Sequence, residues 1–117
     1  MSALPKPPAH FDAAAGRLWR KVLSVLDERG DLRSEYLEPV EIYVENVVQA
    51  RRLRAQIKEP MVRGSQGQPV ANPMFDLVRR HENDAARLAG ELLLTPRSRK
   101  RAGLAESVGD DLEDLLA

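Results

Sequence analysis

Cysteine is absent from the 117 residues, which removes a disulfide framework, a thiolate metal site and thiol catalysis at once. Aromatic residues are scarce, at 4% with a single tryptophan, so Leu, Val, Ile and Ala must supply most of the packing, a mixture that suits helices better than sheets. No apolar run approaches the roughly 20 residues that cross a bilayer. The opening Met1-Ser2-Ala3-Leu4-Pro5-Lys6-Pro7-Pro8 has no signal-peptide apolar core, and a cytoplasmic protein with no membrane partner is expected. Only two histidines are present, His10 in a proline-rich arm and His81 on a helical seam. Neither sits in a His-Glu-x-x-His arrangement, so no metal site and no cofactor are expected, and His81 reads as a partly buried residue satisfied by a neighbour. Gly64-Ser65-Gln66-Gly67 lacks the Lys-Ser/Thr that reaches phosphates and magnesium, so it does not read as a nucleotide loop. No catalytic constellation is found, and the chain is not expected to be an enzyme.

The charge distribution carries more. Bases and acids balance at 18 each, yet residues 104–117 hold five acids and no base, leaving the rest of the chain basic. A basic body suits a polyanion and an acidic tail a different partner.

The apolar spacing predicts a mainly α protein. Asp12 is a cap for a first helix from Ala13 to about Arg29, with Ala15, Leu18, Trp19, Val22, Val25 and Leu26 on one stripe and Gly30 as the stop. A second helix is expected from about Pro39 to Lys58, preceded by a turn over residues 34–38. The stretch from Met61 to Ala71, rich in Gly and Pro, reads as a loop or short hairpin turning at Gly64-Ser65-Gln66-Gly67. Asn72-Pro73 opens a third helix whose seam runs through Met74, Leu77, Val78, His81, Ala85, Leu88 and Leu92. Thr95-Pro96 repeats the cap-then-proline signal and begins a short basic helix that Gly103 closes. The expected organisation is an extended arm at 1–11, a helical oligomerisation and DNA-recognition domain at 12–103, and a flexible acidic tail at 104–117.

Two basic clusters are candidate DNA contacts. Arg97, Arg99, Lys100 and Arg101 place four cations within five residues, with Arg51, Arg52 and Arg54 able to extend them, and Arg17, Arg20 and Lys21 form a second group. In the tail, Leu112, Leu115 and Leu116 alternate with acids, a pattern fit for a partner's apolar groove.

The order of these signals resembles the small terminase subunits of tailed double-stranded DNA phages. The resemblance spans about Leu4 to Gly103, through the Leu18-Trp19 pair, Leu26, Gly30, the Gly/Pro loop into Asn72-Pro73, and Leu94-Thr95-Pro96-Arg97-Ser98-Arg99. Thr-Pro-x-Ser-x-Arg is its most specific element. The chain departs from the pattern at Leu93 and at Glu59-Pro60, where the family usually has glycine, and near Tyr36 and Pro39. The resemblance implies a helical hairpin that assembles as a homo-oligomeric ring, recognises viral DNA, and hands it to a large subunit that owns the ATPase and nuclease. It also implies a core role for Trp19 and a terminal helical turn over Thr95 to Arg99. Two other classes fit the residues as well, a helix-turn-helix transcriptional regulator and a protein-only helical adaptor.

Overall fold

The structure, a computed structural model, describes residues 4–104. Helix α1 covers Ala13–Glu28, a 3-10 turn Ser34–Tyr36, α2 Leu37–Gln56, strands β1 Met61–Arg63 and β2 Pro69–Ala71, α3 Met74–Glu91 and α4 Pro96–Arg101. The mainly α expectation holds, with the Gly/Pro stretch folded as a hairpin. Asp12 caps α1 as expected, accepting from the Ala15 amide at 2.9 Å. Pro39 lies in the first turn of α2, where its missing amide hydrogen is one the helix could not have used, so α2 starts two residues earlier than the proline suggested. It ends at Gln56 because Ile57 is already extended, three residues ahead of Pro60.

The two strands pair antiparallel, with Met61 opposite Ala71, Val62 opposite Val70 and Arg63 opposite Pro69. The turn is closed by the Gly67 amide donating to the Gly64 carbonyl, with Gly67 in the left-handed region. At the hairpin base the Asn72 amide group donates to the Glu59 carbonyl at 3.1 Å while its Oδ1 accepts from the Met74 amide at 3.0 Å. One side chain therefore joins the sheet to the start of α3.

Helices α2 and α3 form the hairpin that dominates the tertiary packing, and α1 lies across one end of it. The core sits at that end. Leu18, Trp19, Val22, Leu23 and Leu26 of α1 meet Val40, Tyr43, Val44, Val47 and Val48 of α2 and Ala85, Leu88, Ala89 and Leu92 at the C-terminal end of α3. The arm joins them, with Leu4 and Phe11 packed on the cluster and the Trp19 indole N–H donating to the Pro5 carbonyl at 3.0 Å. Among the described residues, α1 covers only one end of the hairpin. That is why Leu77, placed on the seam by its spacing, is 42% exposed, as Met61 is at 51%. His81 fulfils its expected part, its Nδ1 lying 2.8 Å from Asn46 Oδ1 across the hairpin.

Three helices end in the same way. After α1, α3 and α4, the residue beyond the cap adopts a positive φ and the next amide donates back to the helix: Asp31 to Leu26, Leu94 to Ala89 and Leu104 to Arg99, each at 2.8 Å. This is the αL termination that favours glycine, and Gly30 and Gly103 supply it. After α3 the position is Leu93, at φ 59°. A leucine there carries a left-handed penalty of about 1 kcal/mol. Leu93→Gly is therefore expected to raise stability by roughly 0.5–1 kcal/mol, less whatever packing the half-buried side chain supplies. A urea melt compares the two, and a net loss of stability would show that the side-chain contacts outweigh the strain.

Tyr43 is the second local anomaly. Its side chain is 1% exposed and its hydroxyl has no hydrogen-bond partner. Burial pushes the hydroxyl up to about 12, with the Arg51 charge opposing the rise. Tyr43→Phe removes an unsatisfied polar atom and is expected to stabilise by about 1 kcal/mol at neutral pH. Because the unfolded hydroxyl ionises near 10 and the folded one near 12, the wild type should lose stability as pH rises through that window. The gap between wild type and Tyr43→Phe then grows by up to ~1.4 kcal/mol per pH unit. Paired melts at pH 8 and about 11 measure it, and an unchanged gap would mean the hydroxyl reaches water.

Candidate nucleic-acid interface

The two basic clusters expected to meet DNA stand on different elements. Arg17, Arg20 and Lys21 lie exposed on α1, on the side away from its buried stripe. Arg97, Lys100 and Arg101 lie exposed on α4. None of Arg17, Arg20, Arg97, Lys100 and Arg101 forms an ion pair among the described residues.

Arg99 differs from its neighbours. Its side chain is 10% exposed, and Nη1 lies 3.4 Å from Asp31 Oδ2 in the connection that follows α1. The rest of the Thr-Pro-x-Ser-x-Arg element explains how it arrives there. Thr95 Oγ1 accepts from the Ser98 amide at 3.1 Å, Pro96 occupies the first turn with φ already fixed, and Ser98 Oγ donates to the Thr95 carbonyl at 3.0 Å. The helix so started presents Arg99 inward, while Arg97, Lys100 and Arg101 project outward. On the other side of this junction Arg29 Nη1 donates to the Leu93 carbonyl at 2.7 Å. Two arginines thus fasten α4 and the loop before it to the end of α1. The element that carries the resemblance most specifically is a device for docking α4, and the structure sets Arg99 apart from the outward cations beside it.

Two of the three arginines of α2 are engaged with acids. Arg54 Nη2 lies 2.9 Å from Glu82 Oε2 of α3, and Arg52 pairs with Asp12, the capping residue of α1. These exposed pairs contribute little to stability, but they reduce the local positive potential. On α3, Arg79 and Arg87 face Asp76 and Asp84 at 3.6 and 3.7 Å. By element the net positive charge is largest on α4, whose four bases meet no acid within the helix, while the three bases of α1 stand against Asp27 and Glu28.

Sequence reasoning missed a groove of about 430 Å³ between α2 and α3, floored by Tyr43, Val47, Ala50 and Ala85 with Arg51 and Arg54 among its charged lining. It also missed the contact between His10 of the arm and Glu45 of α2 at 2.6 Å. Neither had a signal along the chain, since each joins segments far apart. Leu112, Leu115 and Leu116, expected to meet a partner, lie outside the described residues.

The described residues thus form a helical hairpin with a short basic helix fastened to one end. The chain matches the family described as phage terminase, small subunit, over residues 15–107, and it belongs to that family. No curated protein and no solved structure matches it. The family serves phage DNA packaging and is generally non-catalytic.

Proposed function

We propose that this chain is the DNA-recognition component of a packaging terminase. It assembles as a closed homo-oligomeric ring in the host cytoplasm, binds double-stranded viral DNA at the start of packaging, and regulates a large subunit that carries the ATPase and nuclease. It performs no catalysis itself. Family membership across residues 15–107 carries this reading. The fold supports assembly through Ile42, Met61 and Leu77, large apolar side chains left 40–51% exposed in the single chain, which copies packed side by side would cover. Repetition of a basic α4 around a ring would turn weak phosphate contacts into avid ones.

Light scattering combined with stimulation of large-subunit ATPase tests the reading. A discrete species well above a dimer that binds DNA and stimulates the ATPase is expected. A dimer that binds a promoter would instead indicate a transcriptional regulator, and an oligomer indifferent to DNA a protein-only adaptor.

The acidic tail gives this reading a separate prediction. With its five carboxylates it should avoid phosphate, and Leu112, Leu115 and Leu116 are the proposed contacts with the large subunit. A truncation ending at Gly103 is expected to keep oligomeric mass, helicity and DNA binding while losing stimulation of the large subunit. Full stimulation by the truncated chain would remove the tail from that role.

A further inference from the structure

We infer that His10, Glu41 and Glu45 form a binding site for a divalent transition-metal ion, with zinc the best match to their donor set. One ligand atom from each of the three residues lies within 4.8 Å of the other two. Glu41 and Glu45 are one helical turn apart on α2 and so share a face. His10 comes from the arm, 35 residues from Glu45 in sequence, and its Nε2 stands 2.6 Å from Glu45 Oε1. That separation is why the spacing of histidines and acids along the chain led to the expectation of no metal site.

The histidine is placed there by contacts independent of the acids. The Trp19 indole holds the Pro5 carbonyl, the Phe11 amide donates to the Pro8 carbonyl at 3.0 Å, the Phe11 ring stands edge-on to Trp19, and His10 stands edge-on to Phe11. A nitrogen donor is thus delivered to a pair of carboxylates by the packing of the arm.

Charge gives a second, separate argument. Among the described residues the Glu41 carboxylate has no ion pair or hydrogen bond, and that of Glu45 has only His10. Two like charges one turn apart repel, and the one contact with His10 reaches only Glu45. The nearby Asp12 and Arg52 do not enter this balance, because Asp12 Oδ1 caps α1 and Oδ2 pairs with Arg52. A divalent cation would neutralise both glutamates together. Zinc holds imidazole nitrogen and carboxylate oxygen at about 2.0–2.2 Å, which brings donors to roughly 3–3.5 Å of one another, a small rotamer adjustment for exposed side chains. Calcium and magnesium prefer all-oxygen shells and are disfavoured by the imidazole. An open cavity of about 370 Å³ lined by His10 and Glu45, with Asp12, Gln49 and Arg52 also on its wall, has room for water to complete the shell on that side. With three protein ligands the site is open, so the ion should exchange and should staple the arm to α2 when bound.

Zinc titration of the full chain by calorimetry, followed in parallel by NMR of the histidine rings, tests this. Saturable uptake of one ion per chain with micromolar affinity is expected, shifting the His10 ring and leaving the His81 ring unmoved. His10→Ala and the double variant Glu41→Gln, Glu45→Gln should each bind at least roughly ten-fold more weakly. The substituted side chains lie on the surface or part-exposed, so their circular dichroism should match wild type. Asp84→Asn, an acid elsewhere on the surface, should bind as wild type does. Absence of saturable binding at millimolar zinc, unchanged affinity in His10→Ala, or a His10 ring that does not respond would each overturn the assignment. Unchanged affinity in His10→Ala would place the ion on other acids, including those beyond residue 104.

Discussion

Truncating Trp19 to alanine is expected to destabilise the fold by about 3–5 kcal/mol, enough to leave a domain of this size close to unfolded at 37 °C. Three losses coincide at this side chain. It is 3% exposed within the cluster where all three long helices meet, so its removal leaves a cavity that neither α2 nor α3 can close without moving the hairpin. Its indole N–H holds the Pro5 carbonyl, and its ring packs T-shaped against Phe11, so the arm loses both of these contacts. Trp19→Phe keeps most of the volume while giving up the hydrogen bond, and its expected cost is about 1–2 kcal/mol. Denaturation followed by circular dichroism measures both, since the variants lack the only tryptophan. Protein concentration must be held constant, because assembly would add to apparent stability. A cost near 1 kcal/mol for Trp19→Ala would mean that the arm and core rearrange around the gap, and that this residue is not the point at which they are joined.

The elements of the fold were legible where the physics is local. Asp12 and Thr95 cap helices because a side-chain oxygen next to a free amide needs no tertiary partner. The stripe from Ala15 to Leu26 faces the core because helical spacing puts it on one side. The turn at Gly64 to Gly67 follows from the glycines themselves. What escaped was set by contacts between distant segments. Leu77 has seam spacing, yet among the described residues α1 packs at the other end of the hairpin, and Leu77 is left 42% exposed. Arg99 belongs to a cationic run that reads as solvated, and its burial depends on Asp31, 68 residues away. Leu93 gives no local sign of a left-handed backbone. The missing glycine noticed against the family pattern was the relevant signal, and the αL termination of α3 supplies its reason. His10 and Glu45 meet because the arm packs back on Trp19 through Pro5 and Phe11.

The division of the terminal basic run also determines how DNA binding should respond to charge removal. Arg97, Lys100 and Arg101 are exposed without acidic partners among the described residues, so replacing all three with glutamine should leave the fold intact. If each meets one phosphate, the triple change is expected to reduce the slope of log affinity against log salt by up to about 2.7 per bound chain. Between 50 and 200 mM salt the wild type would then lose roughly forty-fold more affinity than the variant. Arg99→Gln should show the opposite behaviour. It breaks the contact with Asp31 and leaves a polar group in a nearly buried position, so melting temperature falls while the salt slope stays at the wild-type value once the protein is folded. The Asp31 carboxylate is partly exposed, which keeps the expected cost nearer 1–2 kcal/mol than the value for a fully buried pair. Measuring Arg17→Gln, Arg20→Gln, Lys21→Gln beside them separates the two faces, because a slope carried by α1 would respond to that triple alone. Should the α4 triple keep both affinity and slope while remaining folded, α4 is not the DNA contact and its outward cations only solvate it. Should Arg99→Gln reduce the slope with its melting temperature unchanged, the arginine reaches phosphate in the complex and its contact with Asp31 gives way on binding.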